Sequence, residues 1–299
     1  MTNTNPCIAA RAASLGYGRT VVVKDLNLSL DYGLVHGLIG ANGTGKTTVL
    51  RALAGQIATQ GELTVFGENP FDNLRVLDRT VLMGIDVPLP TGWRVGKIFA
   101  LAKARWSTWD EDYKDELVRL FEIPTDKRYS QLSRGQKSCV GIVVALASCC
   151  ELVLLDEPYL GLDVDKRKKF YTVLGEHAER TRCTVVISTH HVNEAQPLLD
   201  TVTLLGSAPL SGMVGDIAEA FLEVKGTAAQ VHSLCQDVGI DADVDTQSGL
   251  AKVVLDLRGD QQRIDAVYAH AATLGLRVNP ASLEQAVLTV SADEGQKHP

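Results

Sequence analysis

No stretch of this 299-residue sequence is apolar for long enough to cross a membrane. The longest such run, Cys139 to Cys150, falls far short of the ~18 residues a span requires. The opening residues, MTNTNPCIAARAASLGYG, hold no apolar core of the kind a secretory leader carries. These absences lead us to expect a cytoplasmic chain, one that would need another chain to do any work within a membrane. Basic charge is also short. Lys and Arg number 29 against 36 Asp and Glu, a net charge of −7, which argues against a nucleic-acid backbone as partner. Much of the excess is local, since residues from Glu223 onward carry 6 basic and 11 acidic side chains. The cysteines (Cys7, Cys139, Cys149, Cys150, Cys183 and Cys235) form no Cys-x-x-Cys pair and lie mostly in apolar runs. They read as buried free thiols in a reducing compartment. Repeats and low-complexity tracts are absent. With 45% hydrophobic and 22% charged residues, the composition is that of a globular chain of one large or two modest domains.

Residues 21–30 and 34–39 have the pattern of strands, the second apolar enough to be buried in a parallel sheet. A helix is expected from about Thr47 to Ala54, and 62–66 reads as a short edge strand. Val95 to Cys150 is mostly helical, with Tyr113, Leu117, Leu120 and Phe121 on one face. Ser133-x-x-Gln136 before an apolar run resembles a capping box, so a helix should begin near Arg134. Residues 152–155 and 184–188 read as two more buried strands, separated by a helix from about Val164 to Thr181. This alternation implies a parallel sheet wrapped by helices. The pattern shifts after about Ala220. There we expect strands at 222–226, 250–258 and 276–279, with a weak one near 242–245, and helices at 227–238, 260–274 and 282–292. That order resembles a split βαβ, ferredoxin-like unit. The expected division is therefore 1–220 and 221–299.

The motif Gly40-Ala41-Asn42-Gly43-Thr44-Gly45-Lys46-Thr47 fits the P-loop pattern and stands between a buried strand and a helix, the context that pattern requires. Glycines let successive N–H groups turn inward as an anion nest, and the helix N-terminus adds partial positive charge. Lys46, expected to be exposed, would reach the β- and γ-phosphates, and Thr47 would hold Mg²⁺; Thr48 follows on the same turn. Nucleotide binding is the implied function. Leu152–Leu155 then deliver Asp156 and Glu157 to the carboxyl end of a buried strand, where parallel α/β sheets place ligands. Asp156 would hold Mg²⁺ through water, and Glu157 would polarise the attacking water.

Leu132-Ser133-Arg134-Gly135-Gln136 lies between these motifs. Taken together, the P-loop, LSRGQ and LVLLDEP resemble the ATP-binding subunits of ABC transporters, and LSRGQ is similar to that family's LSGGQ signature. The resemblance covers about residues 8–206. It implies a P-loop ABC-type α/β fold with a parallel sheet core, an antiparallel edge sheet and a helical subdomain, here with a small α+β C-terminal domain. It also implies ATP and Mg²⁺ as cofactors and a head-to-tail dimer with a second ATP-binding subunit. In that dimer Ser133, Gly135 and Gln136 would close on the partner's γ-phosphate. Tyr17 occupies the place of the aromatic that stacks on adenine; a plain core or surface tyrosine is the other reading. Leu160–Asp163 resembles the D-loop, and Ser188-Thr189-His190 resembles the switch histidine, so His190 would bond the γ-phosphate. His191 would point away.

Residues 105–121 and the tail Ser282-Leu283-Glu284 resemble a bacterial subgroup that pairs with ABC-2-type exporter permeases. The implied protein is an ATPase on the inner face of the plasma membrane, driving a separate permease. The alternatives are a soluble ABC-type ATPase, disfavoured by the acidity and by the lack of a coiled-coil insertion, and a regulatory or immunity subunit with weak catalysis. The latter is suggested by a departure: the family usually has a Mg²⁺-touching glutamine about forty residues after the P-loop lysine, and no Gln lies between Gln60 and Gln131. Asp86 stands in that region, as a substitute metal ligand or as a solvated loop carboxylate. Arg134 replaces the usual signature glycine, and Tyr159 after Pro158 is also unusual. Trp93, Trp106 and Trp109 read either as interface anchors or as core packing, and Lys166–Lys169 as a solvated face or a partner contact.

Overall fold

The computed structural model describes residues 6–84, 89–205, 210–240, 244–247 and 250–296. Internal contacts divide the chain into two units: residues 1–191 with 197–205, and residues 192–196 with 206–299.

The first unit holds two sheets. An antiparallel sheet takes β1 (Ile8–Tyr17), β2 (Thr20–Leu30) and β4 (Thr59–Val65) in the order β2-β1-β4. A parallel sheet runs in the order β5 (Thr80–Gly84), β6 (Leu152–Asp156), β7 (Thr184–Thr189), β3 (Val35–Ile39), β8 (Thr201–Leu204). The central β3, β6 and β7 are buried on both faces, as their near-continuous aliphatic sequences require. Helix α1 (Lys46–Leu53) touches strands of both sheets. Its Leu50 and Leu53 join Ile8, Leu15, Leu63 and Leu154 in one apolar core, and burying each such side chain contributes about 1.5–3 kcal/mol.

A short helix, α2 (Leu74–Leu77), precedes β5. Three helices follow: α3 (Val95–Arg105), α4 (Glu111–Leu120) and α5 (Arg134–Ala147). Helix α5 is buried at every position from Ser138 to Ala147, which its sequence CVGIVVALA permits. It begins where its capping box places it: Ser133 Oγ accepts from Gln136 N, and Gln136 Oε1 accepts from Ser133 N. Helix α6 (Val164–Thr181) leads from β6 to β7. On it His177 is fully buried and lies flat against Tyr113, with ring centroids 5.6 Å apart; neither ring nitrogen has a hydrogen-bond partner among the described residues. None of the six cysteines, all among the described residues, is joined in a disulfide, and five of them are buried.

The second unit comprises α7 (Val192–Ala195), β9 (Leu210–Met213), α8 (Val214–Ala220) and then β10 (Phe221–Thr227), α9 (Ala228–Asp237), β11 (Asp245–Gln247), β12 (Leu250–Asp256), α10 (Gln261–Leu274), β13 (Arg277–Pro280) and α11 (Leu283–Gln296). From β10 to β13 the chain order is βαββαβ, and the sheet order is β11-β12-β10-β13 with every pair antiparallel. This is the split βαβ arrangement. Its core is small and aliphatic, built around Val224, Val231, Leu234, Val253 and Val267. Residues 192–196 and α8 belong to this unit, whereas the sequence pattern places its boundary near Ala220.

Candidate functional site

β3 ends at Ile39 and the chain turns through Gly40–Gly45 into α1. Gly43 (φ 89°) and Gly45 (φ 98°) are left-handed, and a Cβ on Gly45 would meet Val23 Cγ2 at 2.3 Å. Glycine is therefore required there on two grounds, conformation and space. Gly45 caps α1 without a side-chain hydrogen bond, so the first-turn N–H groups face the cleft uncovered by any capping side chain. Lys46 is buried, not exposed as its motif suggested. Its ammonium donates to Gly40 O (2.7 Å) and Ala41 O (3.2 Å), because the glycine turn folds those carbonyls over the side chain.

The carboxylates come from the neighbouring strand ends. In register, Asp156 of β6 lies beside Ser188 of β7. Thr47 Oγ1 donates to Asp156 Oδ2 at 2.7 Å, and Ser188 Oγ donates to Asp156 Oδ1 at 2.6 Å. Glu157 adopts φ 47°, a left-handed conformation costly for a residue with a Cβ, and its N–H donates to Ser188 Oγ at 2.9 Å. Its carboxylate faces Lys46 Nζ at 3.7 Å and His190 Nδ1 at 2.7 Å, and it accepts a hydrogen bond from the Tyr159 hydroxyl. Burial above all, aided by the Glu157 carboxylate, raises the Tyr159 pKa well beyond its ordinary value, so the hydroxyl stays a donor.

These groups surround a cleft of about 380 Å³. Of the sequence-derived candidates, Asn42, Gly43, Gly45, Lys46, Thr47, Thr48, Asp156, Glu157 and His190 line it. Gly40, Ala41 and Thr44 belong to the loop behind, where Thr44 Oγ1 donates to Ala41 O at 2.9 Å. Tyr17 lies outside this lining. It is exposed at the end of β1, and its hydroxyl accepts from Arg51 Nη1 at 3.2 Å. Ser133, Gly135 and Gln136 also lie outside it. Ser133 caps α5, and Gly135 and Gln136 stand in its first turn; Gly135 packs on Gly161, where a Cβ would meet Gly161 O at 2.3 Å. Asp86 falls outside the described residues. Trp93, Trp106 and Trp109 are half-buried. Trp93 carries Lys97 Nζ over its ring at 4.1 Å, and Trp109 Nε1 donates to Glu111.

Ser188 and Tyr159 are the functional candidates that motif reading assigned no role. The period-2 register of β6 against β7 is the signal for Ser188. For Tyr159 the only signal is a phenol three residues past the metal-side aspartate.

An oxygen-donor pair such as Thr47 and Asp156, 2.7 Å apart and open to the cleft, fits Mg²⁺, which binds through one or two protein oxygens beside substrate phosphates. The arrangement as a whole offers a cradle for polyphosphate opposite a carboxylate placed to take a proton from water.

Residues 23–160 match the family described as ABC transporter. The chain is 25% identical over 221 residues to the ABC transporter ATP-binding protein YtrB of Bacillus subtilis (strain 168), covering 73% of this chain and 76% of that protein. It is 31% identical over 198 residues to the bacitracin transport ATP-binding protein BcrA of Bacillus licheniformis, covering 65% of each. With ABC transporter G family member 20 of Dictyostelium discoideum it shares 32% identity over 199 residues, which is 63% of this chain but only 27% of that protein. Among solved structures, the ATP binding subunit of an ABC transporter superposes with a TM-score of 0.62 at 23% identity, covering 71% of this chain and 91% of that one. That likeness speaks to the fold.

Proposed function

Because this chain carries an ABC transporter ATP-binding domain, we propose that it binds Mg²⁺-ATP, hydrolyses it, and so drives a separate membrane permease of the ABC-2 exporter type. The observation that carries the reading is the pairing across one cleft of the glycine-turned phosphate loop with the Thr47–Asp156 and Glu157–His190 pairs. Lys46 and the α1 N–H groups bind the phosphates, and Thr47 with Asp156 holds the metal. When bound, Mg²⁺ neutralises phosphate charge. Glu157 orients water and accepts its proton, and His190 donates to the γ-phosphate. Ser133 heads α5 away from the chain's own cleft, which supports a role for it in a head-to-tail dimer, meeting the nucleotide of a second ATP-binding subunit. No helix among the described residues is long and apolar enough to cross a membrane. That favours a peripheral subunit on the inner face of the plasma membrane. Relatives named for bacitracin transport and as a transporter ATP-binding protein support a role in transport. Residues 221–299 are read as an accessory domain, dispensable for nucleotide binding, and nucleic acid is not a partner.

Lys46→Ala should abolish ATP binding, measured by titration. Affinity equal to that of the parental chain would remove the phosphate-loop reading. Co-purification with a multi-span protein that raises ATP turnover tests the coupling, and a stable lack of any such partner favours a free-standing ATPase.

A further inference from the structure

Tyr159 is 1% exposed, and its hydroxyl stands where the segment after β6 meets the end of β7. It donates to Glu157 Oε2 and accepts from His190 N (3.1 Å) and Thr189 Oγ1 (3.2 Å). His190 Nδ1 lies 3.0 Å from the same oxygen. The ring is held edge-on by His190 and His191, at centroid distances of 5.6 and 5.0 Å, with the Arg167 guanidinium 5.9 Å from its centre. Two of the groups it touches line the cleft, the His190 side chain 41% exposed and the Glu157 side chain 14%. A buried side chain thus holds the two that face the cleft.

We propose that Tyr159 is a positioning residue for ATP hydrolysis, fixing the Glu157 carboxylate and the His190 ring as one unit through its single hydroxyl proton. The inference rests on the reading of Glu157 as the group that takes the water proton. The hydroxyl has one proton and two acceptors within reach: Glu157 Oε2, and His190 Nδ1 in the tautomer that carries its proton on Nε2. When His190 donates from Nε2 to a phosphate oxygen, Nδ1 becomes an acceptor. Glu157 Oε2 and His190 Nδ1 lie 2.7 Å apart, so in that tautomer two acceptors face each other and the Tyr159 hydroxyl proton between them holds them together, leaving Glu157 Oε1 to take a proton from water. The tyrosine neither gains nor loses a proton.

Tyr159→Phe keeps the ring and removes the hydroxyl. Turnover by the full chain, with its membrane partner where turnover requires one, is normalised to nucleotide sites titrated with a non-hydrolysable ATP analogue. Partial misfolding therefore cannot mimic the effect. The expected result is a kcat per site lowered about tenfold, with KM and analogue affinity within about twofold of parental. In a Glu157→Gln background, read by single turnover, Tyr159→Phe should cause no further loss, because the two act together. A kcat per site within twofold of parental overturns the inference. So does a loss confined to KM, or an undiminished loss in the Glu157→Gln background. Parental turnover by Glu157→Gln itself would remove the underlying reading. An inactive Glu157→Gln beside a parental Tyr159→Phe removes the inference alone.

Discussion

The two walls of the cleft are built by different means. One is backbone: glycines with positive φ, inward N–H groups, and a lysine held by the carbonyls of its own loop. The other is a web of side chains, in which Thr47, Asp156, Ser188, Glu157, Tyr159 and His190 each touch the next. A backbone wall tolerates few residue types but needs no partner beyond its own loop. A side-chain wall accepts many types, yet each depends on its neighbour's orientation. The first wall should therefore govern affinity and the second turnover, and damage to the second should spread along the web.

The largest break in that division should come from Glu157→Gln. We expect turnover lower by about 10²–10⁴-fold with analogue affinity retained, read by steady-state phosphate release beside a binding titration. If affinity collapsed as well, the two walls would not be separable. On the other wall, Gly45→Ala places a methyl against Val23 at a φ of 98°. Strain of about 1–3 kcal/mol should appear as a lower melting temperature and weaker nucleotide binding. A variant binding as tightly as the parent would show that this turn is not set by its glycine. Ser188→Ala removes the hydroxyl that donates to Asp156 and accepts from Glu157 N. Leaving that N–H without its partner should cost about 1–3 kcal/mol of stability, and turnover should fall more than affinity. An affinity loss as large as the turnover loss would blur the contrast.

The smallest effect lies away from both walls. Burial above all, with the Arg180 guanidinium nearby, lowers His177 from its ordinary 6.5 to about 4. Between those values the unfolded chain binds a proton that the folded chain refuses, so stability should decline as pH falls from about 6.5 towards 4. His177→Phe keeps a ring against Tyr113 and should flatten that decline in thermal melts run across the range. An unchanged slope would assign the acid sensitivity to other groups.

The backbone wall was legible in the sequence because its chemistry is local: eight consecutive residues carry both the turn and the charge. The start of α5 was legible for the same reason, since a capping box is complete within four residues. β1 was not. IAARAASLGY is rich in alanine, which is depleted in strands, and its alternation breaks where Ala12 turns to φ 45°. β5 (TVLMG) and β8 (TVTL) lack the unbroken aliphatic run that marks β6 (LVLLD). The side-chain wall was half legible. Asp156 and Glu157 stand out at the end of an aliphatic run. Ser188 and Tyr159 acquire their roles from strand register and from a reversal at Glu157, which residue spacing does not encode.

Helix α5 has a consequence in time as well as in space. Its residues from Ser138 to Ala147 are shielded on every side, so their amides should exchange with solvent deuterium only through large-scale unfolding and rank among the slowest in the chain. Ser133 is fixed to the head of that rod. A second subunit that reads this turn would meet exposed side chains mounted on a shielded helix.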